Sequence, residues 1–356
     1  MIEHARIIEA AAARAMLQHR RETAVDALAA AFRACAAPAW QACGDAAEVE
    51  MRNEAHRLVD FFEAALVSYG NEPLVRYLLW LRQVLSARQA APDAVPYCLD
   101  QLEQVFADAA SASARAALFA TLREVQYALR WHRSARDWRV HSPPNGGDYL
   151  AFEAALLAGD CRQARQLFQR SLDHLAHPVA VAVDLLQPAL YSIGCQWQNN
   201  QISVAQEHRA TAIVEALLAT LPLSPAAADA PTALLALAPG NRHGVGLRVV
   251  ADAFARAGWQ TRTLPAGSTL PAIIDAVAQD MPRVLALSAA MAHHLLSTRL
   301  LFARLRRLHG VRAPLLLLGG LAVAEYPDIA ARQDGVLFCP DLRMLGRCLP
   351  RLDKVA

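Results

Sequence analysis

TALLALAPGNRHGVGLRVVADAFARAG, residues 232–258, is the stretch on which the fold turns. A short apolar run, 232–238, meets the polar loop Pro239-Gly240-Asn241-Arg242-His243-Gly244-Val245-Gly246, and a helical stretch over 244–257 follows at once. The alternation then repeats. Apolar runs at 259–264, 283–288, 314–319 and 335–339 are separated by helical stretches at 269–280, 292–309, 322–332 and 341–349. Five strands alternating with five helices predict a parallel sheet covered on both faces. We read 232–356 as a flavodoxin-like, doubly wound domain. Ligands in such folds bind beyond the carboxyl ends of the strands, at the switch point, which is where the loop 239–246 would lie.

Upstream, the pattern changes to helices alone. Two breaks rich in turn residues, HSPPNGG at 141–147 and LPLSPAAADAP at 221–231, read as linkers. Segment 148–220 divides at Gly159-Asp160, His177-Pro178 and Asn199-Asn200 into four helices, enough for a small bundle. Segment 1–140 is alanine-rich and helical throughout. Its apolar residues recur at threes and fours (Val59, Phe62, Leu66; Leu74, Leu78, Leu81, Leu85), with breaks near Pro38, Gly44, Gly70–Pro73 and Pro92–Pro96. The fold class is therefore α and α/β: an all-helical domain over 1–140, a four-helix bundle over 148–220, and a five-stranded parallel sheet domain over 232–356.

Composition closes off several classes of function. Hydrophobic residues make up 55% of the 356 and charged residues 19%, so a large core can form and disorder is disfavoured. A formal net charge of +2 argues for neither a nucleic-acid surface nor an acidic partner. The seven cysteines, at 35, 43, 98, 161, 195, 339 and 348, include no C-x-x-C pair, which speaks against a zinc or thioredoxin-type site and for reduced thiols in a cytoplasmic protein. MIEHARIIEAAAARAML carries acids and no long apolar run, unlike a signal peptide. PLLLLGGLAVA, at 314–324, falls short of the ~20 residues that span a bilayer and reads as a buried strand running into a loop, so no membrane partner is expected.

The loop 239–246 resembles the D-x-H-x-x-G loop of cobalamin-binding domains, in which a histidine replaces the cofactor's own benzimidazole on cobalt. By that resemblance His243 is the cobalt ligand, and Asn241, Arg242, Gly244 and Gly246 line the cofactor. A ligating imidazole must be neutral, with its second nitrogen held by an oriented acceptor. The family supplies an aspartate two residues earlier. Here that position is Asn241, whose amide oxygen can accept but cannot share a proton. Three further matches follow. Ser288 stands where the family faces the displaced nucleotide tail, Gly319-Gly320 stand where the tail lies against bare backbone, and Gly246 completes H-x-x-G, allowing close approach beside the histidine.

The bundle carries a second resemblance. Trp197 followed by Glu207-His208 is similar to the W-x9-E-H signature of the helical cap in light-sensing cobalamin regulators of the CarH and LitR kind. The resemblance implies that Trp197 and Glu207 cover an adenosyl group on the upper face of the corrin, with His208 beside them. Those regulators can carry a histidine directly after the tryptophan. Here it is Gln198, which ligates cobalt poorly.

Segment 1–140 lacks the basic winged module of those regulators, so DNA binding is not expected. Its end places Arg130, Arg133, Arg136 and Arg139 every three residues, interleaved with Trp131, His132 and Trp138. Such a run is either a solvated basic face or a site for an anionic planar ligand. An all-helical, globin-sized domain beside a light-type cobalamin module resembles the photocobilins, which pair cobalamin with a bilin. Tyr69, Arg76, Tyr77, Trp80 and Tyr127 are further candidates to line a pocket for biliverdin or another tetrapyrrole. The expectation is a non-enzymatic, adenosylcobalamin-based light sensor that is a homo-oligomer or signals to a protein partner. The alternative is a corrinoid methyl carrier of a methyltransferase system.

Overall fold

A computed structural model describes residues 2–107, 111–131, 146–175, 177–222, 226–333 and 335–352. They form two compact units. One holds the helices of the amino-terminal region together with Cys195–Ser203. The other holds the rest of the bundle and the whole sheet domain.

The first unit is helical: α1 (Ile2–His19), α2 (Arg21–Cys35), α3 (Ala47–Ala64), α4 (Glu72–Ala87), α5 (Ala94–Ala107) and α6 (Ala112–Trp131). Helix α2 packs on α3 and α5, and α1 packs on α6. The expected 3.6-residue stripe is the buried one: Leu74, Leu78, Leu81 and Leu85 of α4 all lie in the core. Each such leucine contributes roughly 1.5–3 kcal/mol by leaving water. A break between α1 and α2 at Arg20 has no proline or glycine to announce it.

In the second unit the bundle comprises α7 (Gly146–Ala158), α8 (Cys161–Leu175), α9 (Pro178–Gln198) and α10 (Val204–Ala219). His177 caps α9, its Nδ1 accepting from Val179 N–H at 3.2 Å with Pro178 in the first turn. At 21 residues, α9 is by length and composition apolar enough to cross a membrane, but half of its apolar window is buried, which suits the core helix of a bundle equally well. Its wider π-type turn, Ala182–Leu186, carries Asp184, which pairs with Arg343.

The sheet follows: β1 (Thr232–Leu237), α11 (Val245–Arg256), β2 (Gln260–Thr263), α12 (Leu270–Asp280), β3 (Val284–Ser288), α13 (Ala292–His309), β4 (Leu315–Gly319), α14 (Leu321–Glu325), α15 (Pro327–Ala331), β5 (Val336–Cys339) and α16 (Leu342–Leu352). All pairings are parallel and the order is β2-β1-β3-β4-β5. That is the flavodoxin-like order, with its switch point between β1 and β3. The helix expected over 322–332 is divided at Tyr326, because the residue before Pro327 is pushed out of the helical region, to φ −125° and ψ 58°. Bundle helices α9 and α10 pack against α11, and α9 also against α16.

Candidate functional site

The register of the sheet gathers residues that are scattered in sequence. Leu237 pairs with Ser288, Ser288 with Gly319, and Gly319 with Cys339, all on the carboxyl edge. The loop from Pro239 to Gly244 rises from the same edge at the switch point and leads into α11, whose N-cap is Gly244. Asn241 is almost wholly buried, at 1% exposure, whereas Arg242 and His243 are exposed.

Asn241 fixes the loop with both ends of its amide. Nδ2 donates to the Ser288 carbonyl at 2.7 Å, and Oδ1 accepts the His243 backbone N–H at 3.0 Å. The donor on one side and the acceptor on the other determine which end of the amide is which. The family pattern pairs the side-chain oxygen at this position with the imidazole of the ligand histidine; in this chain the oxygen accepts the main-chain N–H of His243. The bond fixes where His243, an exposed residue, leaves the chain.

A second support is not legible in the sequence. His294, on α13 and 2% exposed, accepts Met291 N–H at Nδ1 (3.1 Å) and lies beneath Gly240, which adopts φ +87°. Ser297 Oγ donates to the Pro239 carbonyl at 3.1 Å. The loop is therefore pinned at Pro239 and at Asn241, and α13 contributes as much as the loop itself. By sequence His294 is an ordinary helix residue, since only the β3–α13 crossover brings it under the loop.

The four glycines singled out fall into two classes. A Cβ on Gly319 would meet the Cys339 carbonyl oxygen at 2.9 Å, and one on Gly320, at φ +101°, would overlap the Ala289 carbonyl oxygen. The protein's own packing requires glycine at both positions. Gly244 and Gly246 have no positive φ, and a Cβ on either would meet nothing within 4 Å. Neither conformation nor packing calls for glycine there, so the strip beside His243 is bare where a large planar ligand would approach. An exposed imidazole, a bare strip and a half-exposed Ser288 on one edge fit a corrinoid ligated through His243.

A cleft of about 250 Å³ opens next to this loop, lined by Leu237, Gly244, Arg248, Asp252, Thr261 and Thr263, among others. It lies on the β2 side of β1, away from Ser288 and Gly319. Thr261 and Thr263 give no signal in the sequence, because β2 is short and its exposed residues resemble a surface edge.

In the bundle, Glu207 and His208 open α10. Glu207 is half-buried and accepts Thr211 Oγ1–H at 3.1 Å, while His208 is exposed with Nε2 3.5 Å from the Glu207 carboxylate. Trp197 belongs with the first unit. Its ring lies 6.4 Å from that of Trp80, centroid to centroid, and the Arg88 guanidinium sits 4.8 Å from its own centroid. Behind Trp80 stand Tyr77 (5.9 Å) and Phe61, stacked on Tyr77 at 4.1 Å. Tyr77 is buried and its hydroxyl donates to Glu54, which also pairs with Arg57. Burial, then the Glu54 charge, pushes the Tyr77 phenol well above its ordinary value, while Glu54 raises the Arg57 guanidinium.

Of the amino-terminal candidates, His132, Arg133, Arg136, Trp138 and Arg139 lie outside the described residues, and so does the side chain of Tyr69. Arg130, Tyr127 and Trp131 are exposed on α6, with the two rings 6.1 Å apart. Arg76 is half-buried on α4.

Two family models match the chain, each described as a B12 binding domain, over residues 151–221 and 231–339. Three solved structures match parts of the chain. The Methanosarcina barkeri monomethylamine corrinoid protein is 16% identical, with 59% of this chain and 100% of that one covered at a TM-score of 0.49. A cobalamin-binding protein from Desulfitobacterium hafniense DCB-2 is 18% identical (57% and 97% covered, TM-score 0.32). The methanol:cobalamin methyltransferase complex MtaBC from Methanosarcina barkeri is 14% identical (67% and 93% covered, TM-score 0.33). No curated protein matches the sequence.

Proposed function

We propose, for a chain that carries a cobalamin-binding module over residues 151–221 and 231–339, that His243 is the lower ligand to cobalt and that the protein is a corrinoid carrier. One observation carries the proposal: His243 is exposed at the switch point, its main chain held by buried Asn241, beside Gly244 and Gly246, where a Cβ would meet no protein atom within 4 Å. Ser288, Gly319 and Gly320 then border the displaced tail, and Arg242 and Gly244 the rim of the macrocycle. Bound cobalamin would supply the organometallic chemistry at cobalt. The chain's residues hold it, orient it and cover it.

For the upper face, a methyl carrier is the first reading. It needs a lower histidine, for which His243 is the candidate, and a helical cap, and it leaves methyl transfer to partner enzymes. A light sensor built on adenosylcobalamin is the second reading, and one observation favours it: the W-x9-E-H spacing from Trp197 to Glu207-His208, which a methyl-sized ligand does not call for. A bilin in the first unit belongs to this second reading.

Visible spectra of the purified protein, with and without added cobalamin, test the proposal. Wild type should take up cobalamin stoichiometrically and His243→Ala should bind it with a different spectrum. Equal spectra for the two would overturn the assignment of His243. A light-induced change restricted to the adenosyl form would move the second reading to first place, and an additional red band would report the bilin.

A further inference from the structure

Helix α9 is shared between the units. Its run up to Gly194 belongs with the bundle, and its last turn, from Cys195, belongs with the first unit. The last carbonyls of a helix have no partner within it. Here a residue distant in sequence serves two of them. Arg88, half-buried at the end of α4, donates from Nη2 to the Trp197 carbonyl at 2.7 Å and from Nη1 to the Gln198 carbonyl at 3.1 Å. Nη1 also reaches back to the Val84 carbonyl at 3.1 Å, which fixes the stem. The same guanidinium sits 4.8 Å from the centroid of the Trp197 ring.

Each of these contacts suits an arginine. A cation is favourable at the negative end of a helix dipole. A planar fork serves two carbonyls and an aromatic ring together, whereas an ammonium acts as a single point charge. Neighbouring bonds repeat the attachment. Gln83 Nε2 donates to Asn199 Oδ1 at 3.0 Å, and Asn200, which ends the helix at φ 57°, donates from Nδ2 to the Ala87 carbonyl at 3.3 Å. Trp80, backed by Tyr77 and Phe61, sets the other contact of the Trp197 ring. Nothing in the sequence singles out Arg88.

We propose that Arg88 is the residue that positions Trp197, holding its ring and the last turn of its helix in one conformation.

Fluorine NMR of the full chain labelled with fluorotryptophan tests the clamp without any cofactor. The six tryptophans give separate resonances, and Trp197→Phe assigns the one in question. In Arg88→Met the Trp197 line should shift and broaden or split, while that of Trp259, buried in the second unit, stays in place and reports an intact fold. Arg88→Lys, which keeps the charge and the stem, should lie between the two. It carries the test by the same criterion if Arg88→Met does not fold. A Trp197 line unchanged in the folded variant overturns the proposal.

Discussion

Replacing Asn241 by aspartate, the residue of the family pattern, should weaken the protein rather than restore it. Asn241 is 1% exposed and uses its amide as a donor to Ser288 and an acceptor from His243. A carboxylate keeps the acceptor and loses the donor, and it sets an anion 2.7 Å from a carbonyl oxygen. The lost bond alone costs about 1 kcal/mol. Ionisation costs more. To donate to Ser288 the new carboxyl must keep a proton, so its folded pKa rises above the ordinary value of about 3.9. Each unit of rise costs about 1.36 kcal/mol at pH values above both pKa values. A rise of one to two units gives about 2–4 kcal/mol in all near neutral pH once the lost bond is added. The sign follows from proton binding. The folded state holds the proton more tightly, so the variant is near its best below the unfolded pKa and loses stability as pH rises through the folded pKa. Calorimetric scans should show the second unit of Asn241→Asp melting roughly 5–15 °C below wild type at about pH 8, with a smaller gap at about pH 4. A variant equal to wild type at the higher pH would refute the reasoning and show the carboxylate paired elsewhere, with the His243 imidazole as the obvious partner.

His243→Ala should leave the stability of the cofactor-free protein within about 0.5 kcal/mol of wild type, because the ring is exposed, while cobalamin affinity falls; calorimetry and titration read the two effects. Gly320→Ala should destabilise by about 1–3 kcal/mol through overlap with Ala289 and a strained φ, whereas Gly246→Ala should leave the cofactor-free protein intact and weaken cobalamin binding; equal behaviour of the two would break the division between packing and contact glycines. Tyr77→Phe should cost about 1–3 kcal/mol by leaving buried Glu54 short of a donor, as denaturant titration would show. Above about pH 10 the unfolded chain releases the phenol proton that the folded one retains, so Tyr77 makes folding less favourable as pH rises, and Tyr77→Phe should lose less stability there than wild type.

The sheet domain is legible in the sequence because its central strands are buried on both faces and read as unbroken apolar runs set off by turns, as at Leu234–Leu237 and Leu316–Leu318. The edge with His243, Ser288 and Gly319 is legible too, because in a parallel sheet the ends of successive strands fall on one side. The supports of that edge are not. His294 and Ser297 reach the loop only through the packing of α13 under it. The two bonds of Asn241 are hidden as well, since one of them ends on a carbonyl forty-seven residues away. The grouping of Cys195–Ser203 with the first unit is hidden for a similar reason: Asn199-Asn200 marks the helix end correctly, yet nothing local says that Arg88 caps it.

Electron paramagnetic resonance of the protein loaded with cobalamin in the cobalt(II) state bears most directly on the assignment of His243. A histidine nitrogen on cobalt splits the signal into triplets. In protein grown with nitrogen-15 histidine the account predicts that these become doublets, and that His243→Ala keeps triplets or loses the splitting whichever histidine is supplied. Triplets unchanged by the isotope in wild type would mean that no histidine holds the cobalt and would contradict the account.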